Sequence, residues 1–246
     1  MSFSHAKGIR VGQDGTEEVE DLVAREYRLR LNVNGKYFCD MIATLDQLRE
    51  LGAGFVICEG ISPKVDEVTV RGEEIFVECS SMQGGGCEIG TSGGVSVETP
   101  SGRVDSGLTI SREDVTFVTR HVESELWRQT GGVHCSVLFR DGELIAKSAD
   151  VGRHNTVDKV VGTAVLAGID LPGCVLGCTG RQPAGMVVKA ARAGIPVVIS
   201  RAATTDRGIA AAEAAGITLI CFSRNDRFTI YSNPWRVTGI GSGRKV

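Results

Sequence analysis

The sequence lacks the features that mark membrane proteins and general nucleic-acid binders. No apolar run approaches the roughly 20 residues that a membrane-spanning helix needs, and the N-terminus, MSFSHAKGIR, has no apolar signal-peptide core. Positive charge is not in excess either, because the 246 residues carry a net charge of −3. Hydrophobic (42%) and charged (23%) residues are present in ordinary proportions. We therefore expect a soluble cytoplasmic protein, in which the eight cysteines are thiols rather than disulfides.

The C-terminal half alternates short apolar runs with helical patterns. The apolar runs are Gly173–Cys178, Pro196–Ile199 and Ile217–Phe222. This order predicts two β-α-β units with a parallel sheet and right-handed connections. The loops that follow the three strands then share one sheet edge, which is where open α/β sheets bind ligands.

Each of these three loops contains arginine, whose planar guanidinium matches phosphate oxygens in two-point contacts. The residues predicted at this edge are Thr179, Gly180, Arg181, Ser200, Arg201, Phe222, Ser223, Arg224, Asn225, Asp226 and Arg227. We predict that they bind an anionic nucleotide, with Phe222 facing a base ring and with Arg224 and Arg227 on phosphate oxygens.

The segment 150–159, DVGRHNTVDK, adds a second candidate for the same site. A helix start exposes unpaired backbone N–H groups and favours a bound anion. We assign Arg153, His154 and Asn155 to the pocket on this basis; the alternative is an Asn or Asp N-cap with solvated charges. His134 lies in the apolar run HCSVLF and is predicted to be a packed structural histidine.

The N-terminal half is predicted to be β-rich. Predicted hairpins cover 27–41, 65–79 and 134–147, and predicted helices cover 44–54 and 111–127, the second with a capping box of Ser111 and Asp114. We divide the chain into a flexible N-terminus (1–18), a β-rich part (19–110), an α/β part (111–237) and a flexible tail (238–246). The predicted fold class is therefore α/β.

Cys87 differs from the other cysteines in its surroundings. Cys39, Cys58, Cys135, Cys174 and Cys221 sit in apolar runs and are predicted to be buried, while Cys178 at a strand end is undecided. Cys87 lies in the glycine-rich stretch 80–94. In a positively charged neighbourhood such a thiol becomes a nucleophile. The alternative is an incidental cysteine in a glycine linker.

Several longer motifs resemble one protein family. They are GFVICEGI (54–61), TGGVHCSVLF (130–139), DVGRHNTVDK (150–159), TGRQPAGMVVKAARAGIP (179–196) and FSRNDRFTIYSNPWRV (222–237). Over about residues 20–237 the chain resembles the formate dehydrogenase accessory sulfurtransferases of the FdhD/NarQ family.

The resemblance implies a sulfur carrier that receives persulfide sulfur from a cysteine desulfurase. It implies transfer of this sulfur to a molybdenum or tungsten bis-pterin guanine dinucleotide cofactor before the cofactor enters formate dehydrogenase. Guanosine diphosphate (GDP) is then a suitable probe ligand. A cytidine-deaminase-like mixed sheet in the C-terminal half and a homodimer are also implied.

The sequence departs from the family's two-cysteine loop, Cys-Gly-x-Cys-Gly. Only Cys87 is present in GGGCEIG, because glycine (Gly84 or Gly90) stands at the other position. One thiol can carry a persulfide sulfur but cannot resolve it into an internal disulfide. A cofactor-binding chaperone without sulfur chemistry is therefore an alternative function.

A zinc-dependent deaminase is a third interpretation of the sequence. Ser136 stands where the catalytic glutamate is needed, and Cys174 and Cys178 are one residue too far apart for the usual ligand pair. We expect no metal site on these grounds.

Overall fold

The structure is a computed structural model that describes residues 2–81 and 102–240. Cys87 lies outside the described residues. The strands of the described part are β1 (Phe3–Gly12), β2 (Gly15–Ala24), β3 (Tyr27–Val33), β4 (Lys36–Ala43), β5 (Glu67–Arg71), β6 (Glu74–Glu78), β7 (Ile110–Ser111), β8 (His134–Arg140), β9 (Glu143–Asp150), β10 (Cys174–Cys178), β11 (Val197–Ser200), β12 (Thr218–Arg224), β13 (Arg227–Ser232) and β14 (Val237–Thr238). The helices are α1 (Leu48–Cys58), α2 (Arg112–His121), α3 (Glu125–Thr130), α4 (Arg153–Leu166), α5 (Ala184–Arg192) and α6 (Asp206–Ala215).

A six-stranded sheet forms the centre of the C-terminal half, in the order β13-β12-β11-β10-β8-β9. The pairs β10–β11 and β11–β12 are parallel, which confirms the two predicted β-α-β units. Strand β8 is antiparallel to both β10 and β9, so β9 runs parallel to β10. The carboxyl ends of β9, β10, β11 and β12 therefore meet at one edge of the sheet.

Alternate residues of these strands enter two different cores, because successive side chains of a strand point to opposite faces. Leu176 and Val198 pack in a cluster with apolar residues of α4, α5 and α6. Val175 and Val197 pack in another cluster, with Val115 and other residues of α2. The sheet is thus covered by helices on both faces, which confirms a mixed α/β architecture.

A smaller four-stranded sheet, in the order β4-β3-β6-β5, packs with α1 in the N-terminal half. The predicted two-residue turn is present, with φ of 50° at Asn34 and 71° at Gly35. Helix α1 crosses α4 at very short range. A Cβ atom on Gly54 would lie 1.7 Å from the Asp158 carbonyl oxygen, and one on Gly162 would lie 1.9 Å from that of Glu50. Only glycine permits this contact, which joins the two halves.

Two predicted helices differ from those observed. The helix predicted over 44–54 runs from Leu48 to Cys58. The helix predicted over 111–127 has the expected capping box but ends at His121, and α3 then begins with Ser124 as its N-cap. The Ser124 hydroxyl accepts a hydrogen bond from the Trp127 backbone N–H, so the chain starts a new helix instead of continuing the first.

Residues 3–24 form an antiparallel hairpin of β1 and β2 in which most residues are exposed. No regular element was predicted over 1–18, because the segment has little apolar alternation. The cross-strand pair of Arg10 and Glu17, at 3.0 Å, stabilises the hairpin through polar groups that an apolar pattern does not reveal. Mobility of this segment stays a prediction. Within the residues described, none of the helices has the length and apolarity to span a membrane.

Candidate functional site

A cavity of about 500 Å³ opens at the edge where β9, β10, β11 and β12 end. We call it the strand-end cavity. Its lining residues are Trp127, Gly131, Gly132, Val133, His134, Val151, Thr179, Arg201, Ala202 and Arg224. Three of the residues predicted from the strand-end loops, Thr179, Arg201 and Arg224, are therefore brought together here.

Arg201 and Arg224 are connected to each other through the backbone of Arg201. The Arg224 Nε donates to the Arg201 carbonyl oxygen at 3.4 Å. Arg201 also donates from its backbone N–H to the Cys178 carbonyl at 3.1 Å and from Nη1 to the Glu123 carboxylate. Two guanidinium groups are thus held at the mouth of adjacent strands, where they can bind a phosphate.

Phe222 has an unusual backbone conformation beside this pair. Its φ is 52°, and the pairing of β12 with β13 shifts register between Cys221 and Arg224. A left-handed conformation in a bulky residue is strained, and such strain occurs often at binding sites. The Phe222 ring is 44% exposed but does not line the strand-end cavity. Trp127, at 37% exposure, is the aromatic residue that does.

Some predicted site residues are buried and form hydrogen bonds within the protein. The Ser200 hydroxyl donates to the Gly180 carbonyl at 2.7 Å and accepts from the Ala202 N–H at 3.0 Å. The hydroxyls of Ser223 and Thr119 are hydrogen-bonded at 2.5 Å. Both hydroxyls are therefore hydrogen-bonded within the protein, and neither Ser200 nor Ser223 lines the strand-end cavity, where both were predicted.

The predicted wall from Phe222 to Arg227 does not extend past Arg224. Asn225 and Asp226 form the exposed turn between β12 and β13, and Arg227 is paired with Arg224 across it. The Asp226 carbonyl accepts from Arg112 Nη2 at 3.1 Å and lines a separate cavity near α2. The turn projects away from the strand-end cavity because the two-residue turn reverses the chain there.

The polar segment 150–159 has a largely structural role. The buried Asp150 carboxylate accepts from the Thr44 N–H at 3.0 Å and from Lys159 Nζ at 2.7 Å. Asn155 Nδ2 donates to Asp150 at 2.8 Å and to the Ile42 carbonyl at 2.7 Å. Asn155 was predicted in the pocket but connects the end of β4 to α4. The side-chain amide of Asn155 therefore already donates its hydrogen bonds within the protein.

Arg153 is the residue of this segment that remains available to an anion. Its Nε is buried and has no hydrogen-bond partner among the described residues. A Cβ atom at Gly180 would lie 2.9 Å from the Arg153 side chain, so the glycine allows Arg153 to pack against the loop after β10. Burial, and then the charge of the exposed Arg181, lowers the pKa of Arg153. Among the described residues, no carboxylate contributes to this shift of the Arg153 pKa.

The burial of the two histidines is the reverse of the prediction. His134, the first residue of β8, lines the strand-end cavity, with Nδ1 at 3.4 Å from Thr179 Oγ1. His154 is only 6% exposed, and neither ring nitrogen has a hydrogen-bond partner among the described residues. Burial, then the charges of Lys189, Arg153 and His134, lowers the pKa of His154 to about 3.

Sequence reasoning missed seven residues of the cavity lining, namely Trp127, Gly131, Gly132, Val133, His134, Val151 and Ala202. The first five precede or begin β8, which is antiparallel to β10, so the start of β8 lies at the same edge as the end of β10. The predicted hairpin over 134–147 is the sequence feature that could have identified these residues. If one of its strands pairs with β10, one end of that strand must lie at the edge where the cavity opens.

The seven cysteines that the structure describes are all buried. Burial raises the pKa of Cys174 to about 11 and the pKa values of Cys178 and Cys221 to about 12. These thiols stay protonated at neutral pH and are poor nucleophiles. Within the described ranges, no group of three or more His, Cys, Asp or Glu residues is arranged to hold a metal ion.

A comparison with known families tests the resemblance that the sequence motifs indicate. Residues 24–238 match the model of the FdhD/NarQ family. The chain belongs to this family. A relative named sulfur carrier protein FdhD, from Wolinella succinogenes, is 32% identical over 240 residues, covering 89% of this chain and 84% of the relative. Another of that name, from Methanothermobacter thermautotrophicus, is 29% identical over 238 residues, with coverage of 91% and 94%.

A solved structure also resembles this FdhD/NarQ chain. It is the crystal structure of a protein from Desulfotalea psychrophila assigned as a formate dehydrogenase accessory protein. The TM-score is 0.84 at 27% sequence identity, and the match covers 96% of this chain and all (100%) of the other. The six-stranded and four-stranded sheets described above therefore form an architecture shared with this FdhD/NarQ-like structure. A closer likeness to cytidine deaminases stays a prediction.

Proposed function

We propose that this FdhD/NarQ protein is a sulfur carrier required for formate dehydrogenase activity. The match to the FdhD/NarQ model over residues 24–238 is the observation that carries the proposal, together with relatives named sulfur carrier proteins along most of their length. The partners are a cysteine desulfurase, which supplies sulfur, and the catalytic subunit of formate dehydrogenase. The active form is a homodimer in the cytoplasm.

The cargo of the carrier is a molybdenum or tungsten bis-pterin guanine dinucleotide. The strand-end cavity suits its guanosine diphosphate part, because about 500 Å³ lies within the range of small-molecule sites. Arg201 and Arg224 provide phosphate contacts, with Arg153 and Arg181 close to His134 as further positive charge. Trp127 offers an aromatic surface for the base.

Cys87 is the sulfur-carrying residue in this proposal. Its thiolate attacks the terminal sulfur of the desulfurase persulfide; the new S–S bond forms on Cys87 as the old one breaks, and the desulfurase cysteine leaves as a thiolate. Cys87 then holds this sulfur as the outer atom of a persulfide, which is the form in which the carrier brings it to the cargo. The seven described cysteines are buried, and burial raises the thiol pKa of six of them, namely Cys58, Cys79, Cys135, Cys174, Cys178 and Cys221. These thiols are poor nucleophiles, which favours Cys87 as the sulfur-carrying residue.

Mass spectrometry tests the sulfur-carrying step directly. After incubation with a desulfurase and cysteine, the peptide that contains Cys87 should gain one sulfur atom, and peptides with Cys135 or Cys178 should not. Cys87→Ala should abolish the adduct and fail to restore formate dehydrogenase activity in cells that lack this protein. Restoration by Cys87→Ala would remove Cys87 from the mechanism.

A cofactor-binding chaperone is the second candidate function. It is favoured by the single cysteine in the stretch 80–94, where the related loop has two. A chaperone would bind GDP through the strand-end cavity and support formate dehydrogenase without any transfer of labelled sulfur. Comparing labelled-sulfur transfer by wild type and Cys87→Ala separates the two functions.

Calorimetry with GDP tests the binding site. One charge-assisted contact contributes about 1.5–3 kcal/mol, so Arg224→Ala should weaken binding roughly ten- to a hundredfold. Arg227→Ala is a matched control, because Arg227 is the paired arginine on β13 and does not line the cavity. Equal affinity of wild type and Arg224→Ala would exclude Arg224 from the site.

A further inference from the structure

Glu123 is an acidic residue beside a cavity whose charged lining groups are arginines. It lies in the short connection between α2 and α3, and its carboxylate accepts from Arg201 Nη1. Glu123 does not itself line the strand-end cavity, whereas Arg201 does. The carboxylate therefore contacts a cavity-lining arginine without being part of the cavity wall itself.

The connection that carries Glu123 is fixed at several points. The Glu123 carbonyl accepts from Lys147 Nζ at 2.5 Å, and Glu123 Oε2 lies 3.9 Å from Arg128 Nε. The next residue, Ser124, caps α3 and accepts a hydrogen bond from Cys135 Sγ at 2.9 Å. A carboxylate held this firmly can restrain the side chain that it contacts.

Arg201 retains donors for a ligand despite this contact. Only its Nη1 is occupied; among the residues that the structure describes, Nε and Nη2 have no protein partner. Arginine presents its donors in a rigid planar fork, so fixing one nitrogen also fixes the direction of the others. The Arg201 carbonyl in turn holds Arg224 through its Nε. Glu123 thus acts on the side chain of one cavity arginine, whereas Arg224 is held separately by the Arg201 backbone.

We propose that Glu123 is a positioning residue that orients Arg201 for a phosphate in the strand-end cavity. The inference rests on the proposed binding of the guanine nucleotide part of the cargo. Glu123 has two opposing effects on an anionic ligand. It repels the phosphate through its charge, and it aims the free edge of the Arg201 guanidinium at the cavity. The second effect is the larger one in this proposal, because the carboxylate contacts Arg201 Nη1 directly, whereas Glu123 does not line the cavity in which the phosphate would lie.

Two substitutions separate these effects by sign. Glu123→Gln keeps an oxygen that can accept from Arg201 and removes the charge, so it should bind GDP at least as tightly as wild type. Glu123→Ala removes both, and it should bind GDP about tenfold more weakly, the loss expected when one charge-assisted contact is poorly aligned. Glu125→Gln is the matched control, since Glu125 is two residues away, 69% exposed at its side chain and paired with Arg128 at 3.5 Å.

Calorimetry with GDP on the full chain provides the main measurement, and Arg201→Ala provides the second arm. In the Arg201→Ala background, Glu123→Ala should cause no further loss of affinity, because the residue acts through Arg201. Tighter binding by both Glu123 variants would mean that Glu123 only competes with the ligand, and it would overturn the inference. Additive losses in the double variant would overturn it as well.

The reaction of Arg201 with phenylglyoxal, followed by mass spectrometry, provides a readout without ligand. Arg201 should be modified faster in Glu123→Ala than in wild type or Glu125→Gln, and equal rates would overturn the inference even if GDP binds. If wild type binds GDP and Arg201→Ala binds it weakly, but Glu123→Ala equals wild type, only the positioning role fails. If wild type does not bind GDP, the proposed ligand class fails, and the positioning role fails with it.

Discussion

At the residue scale, the two histidines near the strand-end cavity are distinguished by what surrounds their rings. His134 begins a strand at the cavity edge, where its ring can reach a ligand. His154 lies on the buried side of α4, one helical turn before Asp158, whose carboxylate is bonded to the buried Lys189 at 2.8 and 2.9 Å. Its burial could not be derived from the sequence, because that side of α4 is covered only when α5 packs on it.

Substitution of the two histidines should therefore affect different properties. His134→Ala should weaken GDP binding about tenfold, the loss of one good hydrogen bond, with little change in melting temperature. His154→Ala should lower the free energy of unfolding by about 1–3 kcal/mol through a new cavity and leave GDP affinity nearly unchanged. Calorimetry and urea unfolding on the same preparations provide both values, and the opposite pattern would contradict this assignment.

The pH dependence of stability should report on His154. Its pKa falls from 6.5 to about 3 on folding, so the unfolded state binds the proton more readily in this window. Stability is then complete above pH 6.5 and is lost as the pH falls, by about 1.4 kcal/mol between pH 7.5 and 5.5. His154→Phe should lose this part of the pH dependence in urea unfolding, because phenylalanine has no group that titrates. The substitution should break no hydrogen bond to the described residues, since both ring nitrogens of His154 lack partners among them. An unchanged difference between the two pH values would contradict the burial of a neutral ring.

At the element scale, the crossing of α1 and α4 is the most demanding contact in the fold. Gly54 and Gly162 place each helix against the backbone of the other, where an added Cβ would meet a carbonyl oxygen at less than 2 Å. The atoms that an added Cβ would meet belong to the backbone, so they cannot move aside as the end of a flexible side chain can. The helices must separate if either glycine is replaced.

Gly54→Ala and Gly162→Ala should each lower the free energy of unfolding by about 3 kcal/mol or more, since backbone displacement exceeds ordinary overpacking. Gly107→Ala is the control, because nothing lies within 4 Å of its added Cβ and its φ is not in the left-handed region. Urea unfolding should show a change within about 1 kcal/mol for the control. Equal stability of all three variants would mean that α1 and α4 can separate without loss.

Elements with a local pattern were predictable from the sequence, whereas those that depend on distant partners were not. The runs at 174–178, 197–200 and 218–224 are apolar enough to identify buried parallel strands, and their common edge follows from topology. The break between α2 and α3 depends on Ser124, which is held by Cys135 from a strand elsewhere in the chain. The cavity wall from Trp127 to His134 was missed for a similar reason, since its position depends on the antiparallel pairing of β8 with β10.

At the scale of the whole molecule, buried charges connect the N-terminal sheet to the C-terminal sheet. Lys159 is fully buried, and its Nζ donates to Thr44 Oγ1 at 2.8 Å and contacts Asp46 and Asp150 at 2.7 Å each. A second network joins the C-terminal end of α1 to α5, where Lys189 Nζ lies 2.7 Å from the Glu59 carboxylate. The motif DVGRHNTVDK therefore contributes to this internal connection, and its Arg153 adds positive charge near His134 of the cavity wall.

Two variants within this one motif should separate its structural part from its binding part. Lys159→Met leaves Asp150 charged and buried without its cation, so the free energy of unfolding should fall by about 3–5 kcal/mol. Arg153→Met removes a half-buried guanidinium whose Nε lacks a partner in the described part of the chain, so it should weaken GDP binding about tenfold and change stability little. Urea unfolding and calorimetry provide the two values. Strong loss of GDP affinity in a stably folded Lys159→Met would instead place the lysine in the anion site, because a purely internal cation has no contact through which to act on the ligand.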